Sequence, residues 1–119
     1  MDRVLLVEDD RITNLELHCF LSDAGFDVEA THSGRGAVAA IKRQPPRYLV
    51  TDLDLGPGPD GFEVARYARE RRSDTRIVIA SGEPEGRCVP GIVPRAQFVP
   101  KPFRGEQIVD ALRRPPVAG

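Results

Sequence analysis

Tyr48-Leu49-Val50-Thr51-Asp52-Leu53-Asp54-Leu55 is a short apolar run with a carboxylate set near its end. A run of this length, β-branched at Val50 and Thr51, reads as a buried strand. The residues after it, Gly56-Pro57-Gly58-Pro59-Asp60-Gly61, break both helix and ladder and read as a loop. Asp52 therefore stands where a buried strand ends and a loop opens, the place where ligands bind in an open α/β sheet. Taken alone, such a carboxylate is either a hydrogen-bonded structural group or one kept for chemistry.

The flanking sequence supplies the sheet. Val4-Leu5-Leu6-Val7 is an apolar tetrad, the pattern of a strand covered on both faces, and it runs into Glu8-Asp9-Asp10. From about Arg11 to Ala24, Ile12, Leu15, Cys19 and Phe20 recur at helical spacing, with Leu17, Leu21 and Ala24 widening the apolar face. Gly25 is a good stop. Phe26 to Ala30 alternates as a second strand. Ser33 caps a helix with Ala37, Val38, Ala40 and Ile41 on its inner side, which Pro45-Pro46 ends. Asp60 or Gly61 starts a third helix, Phe62, Ala65 and Ala68 inward, Arg66, Arg69, Glu70, Arg71 and Arg72 outward. A charge run of that kind reads first as a solvated face. Arg76 to Ser81 is a fourth strand and Gln97-Phe98-Val99 a fifth. A last helix from about Arg104 to Arg114 turns Ile108, Val109, Ala111 and Leu112 inward. Between Gly82 and Ala96, Pro84, Pro90 and Pro94 alternate with Gly86 and Gly91, leaving room for one helical turn at best.

Strand and helix alternate almost throughout, which implies a parallel sheet with helices on both faces and right-handed crossovers. The 119 residues suffice for one domain with one core, and 1–119 is expected to be a single unit. A net charge of −1 provides no basic field for nucleic acid or anionic lipid, so neither is an expected partner. No apolar run approaches the ~20 residues of a membrane helix. Met1-Asp2-Arg3-Val4 enters a strand at once without a signal-peptide layout, so a cytoplasmic location is expected. Cys19 and Cys88 form no metal or redox motif and read as unpaired thiols, Cys19 on the apolar side of its helix.

Chemistry-bearing residues stand at the strand ends: Glu8-Asp9 after the first, Asp52 and Asp54 at the third, Ser81 at the fourth, Lys101 after the fifth. In a doubly wound sheet these ends share one edge. Carboxylates gathered there repel and raise one another's pKa unless a cation neutralises them. A hard divalent ion with oxygen ligands, Mg²⁺, suits that set. A carboxylate beside Mg²⁺ and a lysine can act as a nucleophile toward phosphorus. Each piece has a plain reading too: Asp10 as a helix cap, Ser81 as a turn serine, Lys101 as a surface lysine. Their coincidence at successive strand ends favours the chemical reading.

The ordered set Val4-Leu5-Leu6-Val7-Glu8-Asp9-Asp10, Val50-Thr51-Asp52-Leu53-Asp54-Leu55 with Asp60-Gly61, Ile77-Val78-Ile79-Ala80-Ser81-Gly82 and Val99-Pro100-Lys101-Pro102-Phe103 resembles the receiver domain of two-component response regulators. The resemblance covers nearly the whole chain. It implies a flavodoxin-like α/β fold, a five-stranded doubly wound parallel sheet of order 2-1-3-4-5. Here the fourth helix of that fold is expected to be short or missing. The resemblance also implies that Asp52 accepts a phosphoryl group from a histidine kinase or histidine phosphotransfer protein. Mg²⁺ is then held by Glu8, Asp9, Asp52 and the backbone carbonyl of Asp54. Ser81 corresponds to the switch hydroxyl, Lys101 to the lysine that meets the phosphoryl group and Phe98 to the switch aromatic. The Asp54 and Glu83 side chains fall where the family tunes phosphoryl hydrolysis, and the bond before Pro102 where it often has a cis proline.

The implied protein is a stand-alone phosphoacceptor switch rather than a turnover enzyme, signalling to a downstream protein or relaying phosphate. Three departures stand out: a Gly56–Pro59 loop one residue longer than the common pattern, phenylalanine rather than tyrosine at Phe98, and the Pro/Gly stretch 82–96. The competing readings are a pseudo-receiver that binds partners without a phosphorylation cycle, a small Mg²⁺ phosphohydrolase, and an FMN protein, whose phosphate the acidic strand ends would repel.

Overall fold

The computed structural model describes residues 2–82 and 93–114. Five strands, β1 (Arg3–Val7), β2 (Asp27–Thr31), β3 (Tyr48–Asp52), β4 (Arg76–Ser81) and β5 (Gln97–Pro100), form one sheet in the order β2-β1-β3-β4-β5. Every pairing is parallel. Val7 lies beside both Thr31 and Thr51, Asp52 beside Ala80, and Ser81 beside Pro100. The carboxyl ends of all five strands thus share one edge.

Four helices are described: α1 (Arg11–Asp23), α2 (Gly34–Arg43), α3 (Gly61–Arg71) and α4 (Gly105–Arg113). Alternate strand residues feed two cores, which is why β1, β3 and β4 read as unbroken apolar runs. Leu5, Val7, Leu49, Ile77 and Ile79 face Ala37, Ile41, Val64 and Ala68 of α2 and α3. Val4, Leu6, Val50 and Val78 face Leu17, Leu21, Ile108 and Leu112 of α1 and α4. The helix starts follow their capping chemistry. Ser33 accepts from the Gly36 N–H, and Asp60 and Glu63 form a reciprocal capping box. Gly25 takes φ +99° after α1, a conformation closed to most side chains.

Three expectations need correction. The α1 stripe through Ile12, Leu15, Cys19 and Phe20 faces water: Ile12 is 70% and Leu15 64% exposed, and Cys19 is exposed as well. The inner face is Asn14, Leu17 and Leu21. Leu17 and Leu21, expected to widen the apolar face, are its buried part, and Asn14 continues it in place of Ile12 and Leu15. Second, Arg69 does not simply project outward. Its guanidinium folds back to donate to the carbonyls of Pro94, Ser73 and Thr75, fastening α3 to the chain before β4 and β5. Third, β2 begins at Asp27, so Phe26 precedes the strand and packs edge-on against Tyr48, 5.2 Å between ring centroids. Cys88, Glu83 and most of the Pro/Gly stretch lie outside the described residues, and with them the expectation that the fourth helix is short or missing. The Lys101–Pro102 bond is cis.

Candidate functional site at the strand ends

Glu8 is the first residue past β1, and its N–H still donates to Thr31 O at 3.2 Å, so the ladder fixes where the acids begin. Its side chain turns inward and is 2% exposed. The Asp10 N–H donates to Glu8 Oε2 at 3.1 Å. Asp9, next along the chain, stays exposed. Asp10 takes the capping role: its side chain accepts from the Thr13 N–H and begins α1. Asp52 closes β3 and is 7% exposed, with the Leu53 N–H carrying the ladder one step further to Ala80 O at 2.9 Å. Gly61, at the start of α3, is set tightly behind it: a Cβ there would lie 2.2 Å from Asp52 O.

Glu8, Asp9 and Asp52 each bring a carboxylate oxygen within 4.8 Å of the other two. Lys101, at the turn after β5, faces them, with Nζ 3.2 Å from Asp52 Oδ2 and 3.4 Å from Glu8 Oε1. The Lys101 N–H donates to Ser81 O at 2.8 Å, which anchors that turn to the end of β4. Ser81 itself is buried at the same edge.

The electrostatics are those of an undercompensated acidic cleft. Burial pushes Glu8 up to about 7, and the Asp52 charge adds to the rise, while the Asp10 N–H and the Lys101 charge oppose it. Burial draws Lys101 down, but the Asp52 and Glu8 charges outweigh it and hold the ammonium above its ordinary value. Among the described residues, Lys101 is the cation placed against this cluster, in contact with Glu8 and Asp52. The site fits a divalent cation on two grounds: all-oxygen donors and clustering within reach of one ion.

Of the residues singled out in sequence, Glu8, Asp9, Asp52 and Lys101 converge, and Ser81 shares their edge. Asp54 is exposed just beyond, and Phe98 is half-buried against Phe62, ring centroids 6.0 Å apart. Glu83 lies outside the described residues. Sequence reading passed over Asn14, a 3%-exposed amide on the inner face of α1. Its signal was position: residues 14, 17, 21 and 24 form a helical stripe in which a polar residue is out of place.

The family model for the response regulator receiver domain matches residues 4–113. The chain belongs to this family. Receiver domains are phosphoacceptor modules of two-component signalling, phosphorylated by histidine kinases. This receiver domain is 34% identical over 113 residues to the response regulator MprA of Mycobacterium avium, covering 93% of this chain and 49% of that protein. The chain spans about half the length of the curated relatives it matches. Among solved structures, a chemotaxis response regulator of Vibrio cholerae superposes with a TM-score of 0.84 at 27% identity, covering 96% of this chain and 98% of that one. The receiver domain of a Pseudomonas aeruginosa sensor histidine kinase, with magnesium coordinated in its active-site cleft, shares the fold with a TM-score of 0.78. Its identity is 22%, covering 95% of each chain.

Proposed function

We propose that residues 1–119 form one receiver domain that takes a phosphoryl group on Asp52 from a histidine kinase or histidine phosphotransfer protein. The observation that carries this is the meeting of Glu8, Asp9 and Asp52 opposite Lys101 at the strand edge. In the reaction an Asp52 carboxylate oxygen forms the new bond to phosphorus as the bond from phosphorus to the donor's imidazole nitrogen breaks. The imidazole leaves with the electron pair and takes a proton. Lys101, already beside Asp52, supplies positive charge to the transferring oxygens, and Ser81 offers a hydroxyl to one of them.

Glu8, Asp9, Asp52 and the Asp54 carbonyl would hold Mg²⁺, whose charge offsets the crowding of acid and phosphoryl oxygens when it is bound. The magnesium in the cleft of the Pseudomonas receiver domain supports this. Asp54, exposed two residues past the acceptor, and Glu83 are assigned to tuning hydrolysis, and Phe98 to the switch. The output is binding of a downstream protein or onward relay of phosphate rather than turnover of a substrate, and the setting is cytoplasmic. Neither nucleic acid nor membrane is an expected direct partner.

The deciding experiment incubates the parent and Asp52→Ala with phosphorylated histidine kinases and with a small phosphoramidate donor in Mg²⁺. The parent is expected to take up one phosphoryl group and Asp52→Ala none. Uptake by neither protein would leave a pseudo-receiver that acts by binding alone.

A further inference from the structure

Asn14 is a buried polar side chain to which the proposed reaction assigns no role. It shares the inner stripe of α1 with Leu17 and Leu21. Its Nδ2 donates to two carbonyls, Glu8 O at 3.0 Å and Thr31 O at 3.1 Å. These belong to the ends of adjacent strands β1 and β2, already joined by the Glu8 N–H to Thr31 O bond. The carbonyl of Glu8 is half of the peptide plane that links Glu8 to Asp9. The orientation of that plane sets the directions in which both side chains leave the backbone, Glu8 inward and Asp9 toward the rim. Asn14 holds it from below while the Asp10 N–H holds the Glu8 carboxylate from above.

We propose that Asn14 is a positioning residue for the divalent-cation site, acting through the Glu8–Asp9 peptide plane. The inference rests on the reading that Glu8, Asp9 and Asp52 hold the cation. Without the amide, Glu8 O loses this buried donor while Thr31 O keeps the Glu8 N–H, and a buried carbonyl short of a donor is costly enough to shift the chain toward water. A shift of the backbone at this peptide, which links the two residues directly, carries the Glu8 and Asp9 carboxylates away from Asp52. Groups that orient metal ligands typically change affinity by ~10–100-fold when removed, and an effect of about tenfold is expected here.

The test measures Mg²⁺ binding by calorimetry on the parent, Asn14→Leu, Asn14→Ser and Leu112→Ala, each at a temperature where circular dichroism shows it folded. Asn14→Leu keeps the apolar stripe and removes both donors; Asn14→Ser covers the case in which the leucine variant fails to fold. Leu112→Ala is destabilised in the same core without touching the acidic turn. The Asn14 variants are expected to bind Mg²⁺ about tenfold more weakly, with shifted Glu8 and Asp9 amide resonances, and Leu112→Ala to match the parent. Asn14 variants that bind within twofold of a Mg²⁺-binding parent, or a Leu112→Ala that weakens equally, overturn this inference alone. A parent that binds no Mg²⁺ overturns the reading of the acid cluster, and this inference with it.

Discussion

Lys101 Nζ stands 3.2 Å from Asp52 Oδ2, having reached across the strand-end edge from the turn after β5. The same nitrogen is 3.4 Å from Glu8 Oε1, so one ammonium serves two buried acids. Its positive charge opposes that of any cation held by the same acids. Lys101→Ala is therefore expected to bind Mg²⁺ severalfold more tightly while accepting phosphoryl groups at least ~10-fold more slowly, because the transferring oxygens lose a positive partner. Calorimetry and single-turnover phosphotransfer measure the two effects. Weaker Mg²⁺ binding by the variant would show that Lys101 organises the acids rather than competing for them.

The raised Glu8 pKa makes both metal binding and stability pH-dependent. Metal ligation needs the carboxylate, so Mg²⁺ affinity is expected to fall as pH drops below about 7. For the metal-free fold the sign is opposite. The folded state holds the Glu8 proton up to about 7, against an ordinary value of 4.5. This contribution to stability is complete below 4.5 and is lost as pH rises toward 7. Glu8→Gln, which cannot titrate, is expected to flatten that part of the profile. Urea unfolding at several pH values, with and without Mg²⁺, reads both slopes. A metal-free stability that rises between pH 5 and 7 equally in parent and Glu8→Gln would contradict the assignment.

The exposed stripe of α1 makes a contrast between substitutions of one residue type. Leu15, 64% exposed, is expected to tolerate replacement by serine within about 0.5 kcal/mol. Leu17, buried two residues on, is expected to lose about 2–5 kcal/mol on replacement by alanine. Chemical denaturation of both variants checks this. Equal losses would place Leu15 against protein rather than water.

The strands, the strand-end acids and the lysine after β5 were legible because each rests on strong local grammar, whereas the strand order came from the family resemblance. Apolar runs mark buried strands, Pro-Gly loops mark their ends, and an acid in such a run has few structural reasons to be there. The orientation of α1 was not legible, because Ile12, Leu15 and Cys19 obey the same helical period as Asn14, Leu17 and Leu21. Hydrophobicity favoured the first set and the sheet selected the second. The reason is itself functional in form: the inner face had to place an amide donor under the Glu8 carbonyl, which apolar counting marks as a defect. Arg69 misled for a related cause. A charge run on a helix reads as solvated, whereas Arg69 folds back onto Ser73 and Thr75 just past its own helix and onto the more distant Pro94, which no helical period announces.

Gly61 ties the acceptor to the helix behind it. An added Cβ would lie 2.2 Å from Asp52 O and 2.7 Å from Leu53 Cα, and neither backbone atom can rotate aside as a flexible side chain would. Gly61→Ala therefore obliges α3 to back away or the end of β3 to move. Overpacking of this kind costs about 1–3 kcal/mol, so a lower melting temperature is expected. Because the displaced atoms belong to Asp52 and its neighbour, the damage should extend to the cleft. The melting temperature of the parent is expected to rise with Mg²⁺, and that of Gly61→Ala to rise markedly less. Thermal melts across a Mg²⁺ series separate the two effects. A variant that melts lower without Mg²⁺ yet gains the full increment with it would show that α3 yields while Asp52 stays in place.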